Sequence, residues 1–229
     1  MFDCVAGLAA DRHPLAKVLR TVGPGSCPGQ INLHCHTLCS DGSLAPVALA
    51  EQAAEAGLRH LAVTDHHSIA AHAPIAHHFQ SLRQQGQNVP EFWSGVEISC
   101  LLEGCLVHVL ALGFVMPRDG VEHPLDPYLQ GRAVVGAALR SEAVLAAIHA
   151  CGGLALLAHP ARYRLPHAQL IAAAADQGFD GAEAWYDYGM GEHWTATPLI
   201  CEAIATDLGL RGLLQSCGTD THGFRLHGR

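Results

Sequence analysis

An α/β fold with a largely parallel sheet is the architecture this sequence predicts, and three observations predict it. From Ile31 onward, short apolar runs bounded by turn residues alternate with longer amphipathic stretches, as in chains that build βα units. Side chains able to hold metal ions are concentrated where those apolar runs stop, on the face that the loops leaving parallel strands create. The chain has 229 residues, 49% of them hydrophobic and only 15% charged, enough to bury one large core and too apolar for a disordered segment.

The strand candidates are Ile31–His36, His60–Asp65, Phe92–Ser99, Val107–Phe114, Leu154–His159, Gly181–Trp185 and Leu213–Gly218. Between them lie helix candidates at Ala45–Ala56, Ala70–Gln85, Arg132–Cys151, Pro166–Gln177 and Thr195–Leu208. Ser43 is placed to cap the first of these and Pro46 suits its first turn. A short loop at Glu103-Gly104 joins strands three and four without a helix, and Met116 to Gln130 reads as an irregular excursion. Ahead of the main domain, assigned to residues 31–229, residues 1–30 form an appendage. It holds a helical stretch from Ala9 to Val22, interrupted by Pro14, and a Gly/Pro turn cluster.

The formal charge is −8 and Lys17 is the only lysine, which excludes a surface made to coat long nucleic acid. Nine cysteines, odd in number and scattered through apolar runs, fit a reducing cytoplasm better than a disulfide framework. No apolar stretch reaches the roughly eighteen residues a membrane span needs, so neither a membrane nor long nucleic acid is expected as a partner.

The chemistry is carried by residues at the strand exits. In His34-Cys35-His36 the two imidazoles flank one residue, so a strand projects both to the same side. Asp41 follows in the turn Ser40-Asp41-Gly42. Thr64-Asp65-His66-His67 ends the second strand, Gly95-Val96-Glu97 the third, Ala158-His159-Pro160 the fifth and Gly218-Thr219-Asp220-Thr221-His222 the seventh, while His108 lies in the fourth. Each element alone has an ordinary structural explanation. Cys35, Cys39, Cys100 and Cys105 lack the paired spacing of a zinc finger, and His72, His77 and His78 read as the solvated face of a helix. His149 and His167 sit inside helical stretches. The joint placement at so many strand exits is what packing does not explain.

These motifs, in this order from Asn32 to Gly223, resemble the polymerase and histidinol phosphatase (PHP) phosphoesterases, in particular the branch that removes phosphate from nucleotides and trims short RNA. The resemblance implies a distorted seven-unit (βα) barrel. It also implies that His34, His36, Glu97 and Asp220 hold one metal ion, that Glu97 bridges to a second held by His108 and His159, and that Asp41, His66 and His222 hold a third. Asp65 is implied to orient a ligand from outside the cluster. The sequence departs from the family at Asn32, where an Asp is usual, and at His67, where another Asp is usual. Only seven residues follow His222, so the helix that closes the barrel is expected to be lacking.

Two or three divalent ions held by imidazoles and carboxylates suit manganese, iron or zinc. Such a cluster activates water and stabilises a departing alkoxide without a serine or cysteine nucleophile. Arg162, three residues after His159, is the candidate for clamping a phosphate. The expected substrate is a small phosphorylated molecule, a nucleotide 3′,5′-bisphosphate or a short oligonucleotide. A histidinol-phosphate-type phosphatase and a non-catalytic domain that binds metal or nucleotide remain as rival readings.

Overall fold

The computed structural model describes residues 12–189, 191 and 193–228. The start of the first helix candidate, at Ala9, lies outside them. The helix itself, α1, runs Pro14–Leu19, with Pro14 in its first turn and the ring of His13 accepting the Leu15 N–H. Leu15, Ala16 and Leu19 of this segment, with Cys27, are buried in the same core as the sheet residues Ile31, Val96 and Leu156.

The remaining elements follow as β1 (Ile31–Asn32), α2 (Pro46–Glu55), β2 (His60–Ala62), α3 (His72–Gln84), β3 (Glu91–Trp93), β4 (Gly95–Leu102), β5 (Cys105–Leu112), α4 (Ser141–Ala150), β6 (Leu154–Leu157), α5 (His167–Gln177), β7 (Gly181–Trp185), α6 (Pro198–Leu210) and β8 (Leu214–Cys217). Helix α2 begins with Pro46 at its first turn, as expected, but Ala45 occupies the cap position and no side chain caps it. The long helix expected over Arg132–Cys151 is shorter. Gly136 takes a positive φ, a 3-10 turn covers Gly136–Leu139, and Arg140 is extended, so the α-helix starts only at Ser141.

The third predicted strand is really two. β3 pairs in parallel with β2, whereas β4 pairs antiparallel with β5, and the chain changes sheet at Ser94-Gly95. Ser94 marks the switch by donating its hydroxyl to Phe114 O at 2.6 Å. Gly95 is required there because a Cβ would fall against Val63 O. The turn between β4 and β5 is the expected Glu103-Gly104, both with positive φ, which suits a two-residue hairpin.

Among the described residues the strands form two ladders, β1-β2-β3 and β4-β5-β6-β7-β8, and not the single continuous barrel ladder that the resemblance implied. Beyond β1 the chain meets the end of β8 through Leu33 N to Cys217 O at 3.0 Å, Asp220 N to His34 O at 2.8 Å and His36 N to Thr221 O at 3.1 Å. Beyond β2, His67 N donates to Glu97 O at 3.0 Å, with a single bridge between His66 and Glu97. Both seams between the sheets therefore run through metal-competent residues. Two apolar clusters support them: a large one under β4 to β8, and a smaller one in which Leu49, Ala53, Ile75 and Phe79 of α2 and α3 cover β2.

Candidate metal centre

The two seams bring all nine predicted ligands into one place. Cys35 forms a bridge to Thr221, so His34 and His36 on either side of it turn to the opposite face, into the gap between the sheets. Glu97 is the third residue of β4, not a strand exit, because β3 ends at Trp93. Its Oε2 stands 3.1 Å from both His34 Nε2 and His36 Nε2. Asp220 Oδ1 stands 3.2 Å from the same two nitrogens. The other Glu97 oxygen, Oε1, meets His108 Nδ1 at 2.9 Å and His159 Nε2 at 3.2 Å. Asp41 faces His36, His66 and His222 at 3.6, 3.7 and 3.3 Å, and His66 also faces Glu97 Oε2 at 3.6 Å.

This donor set fits divalent cations. Four-coordinate bonds of about 2.0–2.1 Å place neighbouring donors about 3.3 Å apart, close to the separations within the group His34, His36, Glu97 and Asp220. Two further groups, His36, Asp41, His66 and His222, and His66, Glu97 and His108, have donor atoms within 4.8 Å of one another. His159 Nδ1 is buried without a hydrogen-bond partner, which is costly for an imidazole nitrogen unless something else meets it.

The electrostatics agree. Burial opposes ionisation of Glu97, but His34, His108 and His159 outweigh it and hold the carboxyl well below its usual range. Asp220 is likewise lowered: burial acts against it, and His34 and His36 prevail. Burial opposes charge on His36, yet hydrogen bonds to Asp220 and Glu97 raise its pKa to about 9. Burial lowers His66 to about 4, with His36 and His108 adding to it against the pull of Glu97. The acids are thus ionised and protons sit on buried imidazoles, positions that a metal ion occupies by displacing them.

Three non-glycine residues at the cluster, His67, His159 and Asp220, have φ of 51°, 27° and 50°. Strain of this kind persists where the surroundings over-determine it. His67 is not a donor to the cluster. Its Nε2 accepts the Ser99 N–H at 3.3 Å and its Nδ1 lies 3.1 Å from Tyr128 O, which makes Nδ1 the protonated nitrogen. Asn32 stitches the first seam: Oδ1 accepts the N–H groups of Thr219 at 3.1 Å and His34 at 3.4 Å, and Nδ2 donates to Thr219 Oγ1.

Asp65 organises a loop. Its carboxylate takes the Thr37 N–H, the Thr37 hydroxyl and the Ser40 hydroxyl, each at 2.7 Å, and it reaches His36 only through Ser40. Arg162 points inward: Nη1 donates to Asp220 Oδ2 and to the Tyr186 hydroxyl, both at 2.8 Å. A cavity of about 300 Å³ opens beside the cluster, lined by seven of the nine candidate ligands together with Arg162 and Tyr163. His72, expected on a solvated helix face, instead stacks on Phe92 with ring centroids 4.3 Å apart and lies 3.3 Å from Trp93 O.

Sequence reasoning passed over Glu183, Tyr163 and Tyr186. Glu183 is fully buried and contacts His34 Nδ1 at 3.2 Å with both oxygens. The Tyr163 hydroxyl accepts the His108 N–H at 2.8 Å, and the Tyr186 hydroxyl donates to Asp220 Oδ2 at 2.5 Å.

The sequence model of the PHP domain matches residues 32–180. The 5′-3′ exoribonuclease Rnm of Escherichia coli K12 is 36% identical over 94 residues, a match that spans 41% of this chain but only 29% of that enzyme. Among solved structures, an amidohydrolase from Chromobacterium violaceum with bound sulfate superimposes with a TM-score of 0.66 at 21% identity, covering 85% of this chain and 88% of that one. A protein from Bifidobacterium adolescentis described as a metal-dependent phosphoesterase superimposes with a TM-score of 0.59 at 23% identity, covering 86% and 89%. At these identities the structures are alike in fold alone. Since the family match takes in well over half of the sequence, the chain belongs to the PHP family of metal-dependent phosphoesterases.

Proposed function

We propose that the protein hydrolyses phosphate esters of small nucleotide substrates, nucleotide 3′,5′-bisphosphates or very short oligonucleotides, at this cluster. The observation that carries the reading is Glu97, whose two oxygens serve two different groups of imidazoles 2.9 to 3.2 Å away, the arrangement of a carboxylate bridging two ions.

In this reading His34, His36, Glu97 and Asp220 hold one ion, Glu97 with His108 and His159 a second, and Asp41, His66 and His222 a third. When bound, such ions supply Lewis acidity, which activates water and stabilises the charge that develops as the ester bond breaks. The protein's own part is to place the substrate. Arg162 is anchored through Nη1 and its side chain remains 42% exposed, so the rest of its fork is available to a phosphoryl oxygen.

Size and charge support a short substrate. A cavity of about 300 Å³ lies at the lower end of small-ligand sites, and thirteen basic residues against twenty-one acidic ones supply little to track a long phosphate backbone. The name of the Escherichia coli relative favours RNA ends as the second reading. Metal content per chain, measured together with phosphate release from adenosine 3′,5′-bisphosphate and nucleotide release from a twenty-nucleotide RNA, tests both. Higher catalytic efficiency on the polymer, persisting at moderate salt, would reject the mononucleotide reading.

A further inference from the structure

We propose that β7 and the residue that follows it, which carry none of the nine candidate ligands, orient three of them: Glu183 fixes the ring of His34 and the backbone of His159, and Tyr186, with Arg162, fixes the carboxylate of Asp220. The inference rests on the metal-dependent reading of the site and deepens it.

The strand is built for this by one irregularity. Glu183 pairs with Ser216 and Trp185 pairs with Cys217, so two steps along β7 answer one step along β8 and Ala184 is the extra residue of a bulge. Side chains in a regular strand alternate, so Glu183 would share its face with Trp185 and Asp187. The bulge shifts the alternation by one. Trp185 turns away to donate its Nε1–H to Gln215 Oε1 at 3.3 Å, and Tyr186 arrives on the same face as Glu183.

Each contact has a definite consequence for a ligand. Glu183 is fully buried, and its carboxylate faces His34 Nδ1 at 3.2 Å and accepts the His159 N–H at 2.9 Å. A proton held on Nδ1 leaves Nε2, the nitrogen that faces Glu97 and Asp220, as the donor, and a carboxylate behind an imidazole strengthens that donor. The bond to the His159 N–H fixes a residue whose φ is 27°. Tyr186, with Arg162, occupies Asp220 Oδ2, so Oδ1 is the oxygen presented to His34 and His36. The Tyr186 hydroxyl and Arg162 together thus set which oxygen of a buried carboxylate faces the cluster.

The test is titration of the purified full chain with Co(II), followed by calorimetry and visible absorption. Tyr186→Phe removes only the hydroxyl; its near-UV circular dichroism should match wild type, while Co(II) affinity falls about tenfold and the absorption bands shift as Asp220 Oδ2 is left to Arg162 alone. Glu183→Gln should weaken Co(II) binding by about 10- to 100-fold, and if it does not fold, Tyr186→Phe alone decides. Tyr188→Phe is the control. Its hydroxyl accepts the Ala161 N–H at 3.3 Å, its ring lies 4.8 Å from that of Tyr186, and its loss should leave Co(II) binding unchanged. Wild-type affinity and bands in Tyr186→Phe, or an equal loss in Tyr188→Phe, would overturn the inference while leaving the metal-dependent reading intact. A wild-type chain that takes up no Co(II) would overturn both.

Discussion

Glu97 meets His108 at 2.9 Å through Oε1 while its Oε2, on the other side of the same carboxylate, meets His36 at 3.1 Å. A bridging role needs two equivalent acceptors, and an amide has one. Glu97→Gln should therefore lose bound metal and at least a hundredfold of phosphate release, nearly as much as Glu97→Ala or Asp220→Ala. Metal analysis and phosphate release on the purified variants check this; normal turnover in any of the three would refute the assignment.

Gly218 lies against His34. An added Cβ would fall on the Cβ and backbone of His34, so Gly218→Ala must push apart β8 and the segment after β1, along which the first seam runs. Overpacking of this kind costs about 1–3 kcal/mol, and here the displaced residue is a candidate ligand. The expected result is a lower unfolding midpoint together with reduced metal uptake. Loss of stability with wild-type metal content would show that the seam tolerates the shift.

Much of this site was legible because its ligands are written as local motifs. His34 and His36 are separated by one residue, so alternation places that pair, whereas Asp220 and His222 repeat the spacing but Asp220 has a φ of 50°, and for them the motif was the signal. The ends of apolar runs marked His66 and His159. What stayed hidden depends on pairing between distant segments. Glu183 sits in Gly-Ala-Glu-Ala-Trp, where a charged residue among apolar ones was the available signal, but only its contacts with His34 and His159 give it a purpose. The bulge at Ala184 follows from register with Ser216 and Cys217, which no local pattern records. The split of one expected strand at Ser94-Gly95 and the two separate ladders have the same origin. Asp65, which the resemblance implies orients a ligand, bonds to Thr37 and Ser40, and it meets His36 through the Ser40 hydroxyl, a link that depends on the fold of the loop and that no local spacing records.

Asn32 stands where an Asp is usual in the family, and its bonds show what the exchange requires. Oδ1 serves two backbone N–H groups and Nδ2 serves the Thr219 hydroxyl, which can reverse its role and donate to a second oxygen. Asn32→Asp should accordingly retain turnover within a few-fold. Asn32→Leu leaves the Thr219 N–H buried and unpaired, which costs about 1–3 kcal/mol. Chemical denaturation of the two variants separates them, and equal stability would show that the seam does not depend on this side chain.

His72 and His77 lie on the same helix but differ in surroundings. His72 stacks on Phe92 and is pushed below its usual pKa by burial, whereas His77 is exposed. Neither lines the cavity, so His72→Ala and His77→Ala should each change turnover by less than about threefold. Only His72→Ala should lower stability, by about 1–2 kcal/mol. A large loss of turnover in either would place α3 in the site.

Arg162 combines an inward anchor with an exposed fork, and the two roles predict different outcomes. If the side chain only held Asp220, Arg162→Lys could keep that ion pair at 2.8 Å and would behave like wild type. If its remaining N–H groups also take a phosphoryl oxygen, a lysine keeps the charge but loses the planar fork, and substrate binding weakens while metal content stays normal. The proposed function requires the second pattern. Arg162→Ala should be worse than Arg162→Lys in kcat/KM, because it also releases Asp220 Oδ2, leaving Tyr186 to hold it. Measuring Co(II) affinity beside kcat/KM separates the contributions: a loss confined to metal binding would make Arg162 a support for Asp220 alone, and equal, small effects in both variants would remove it from the site.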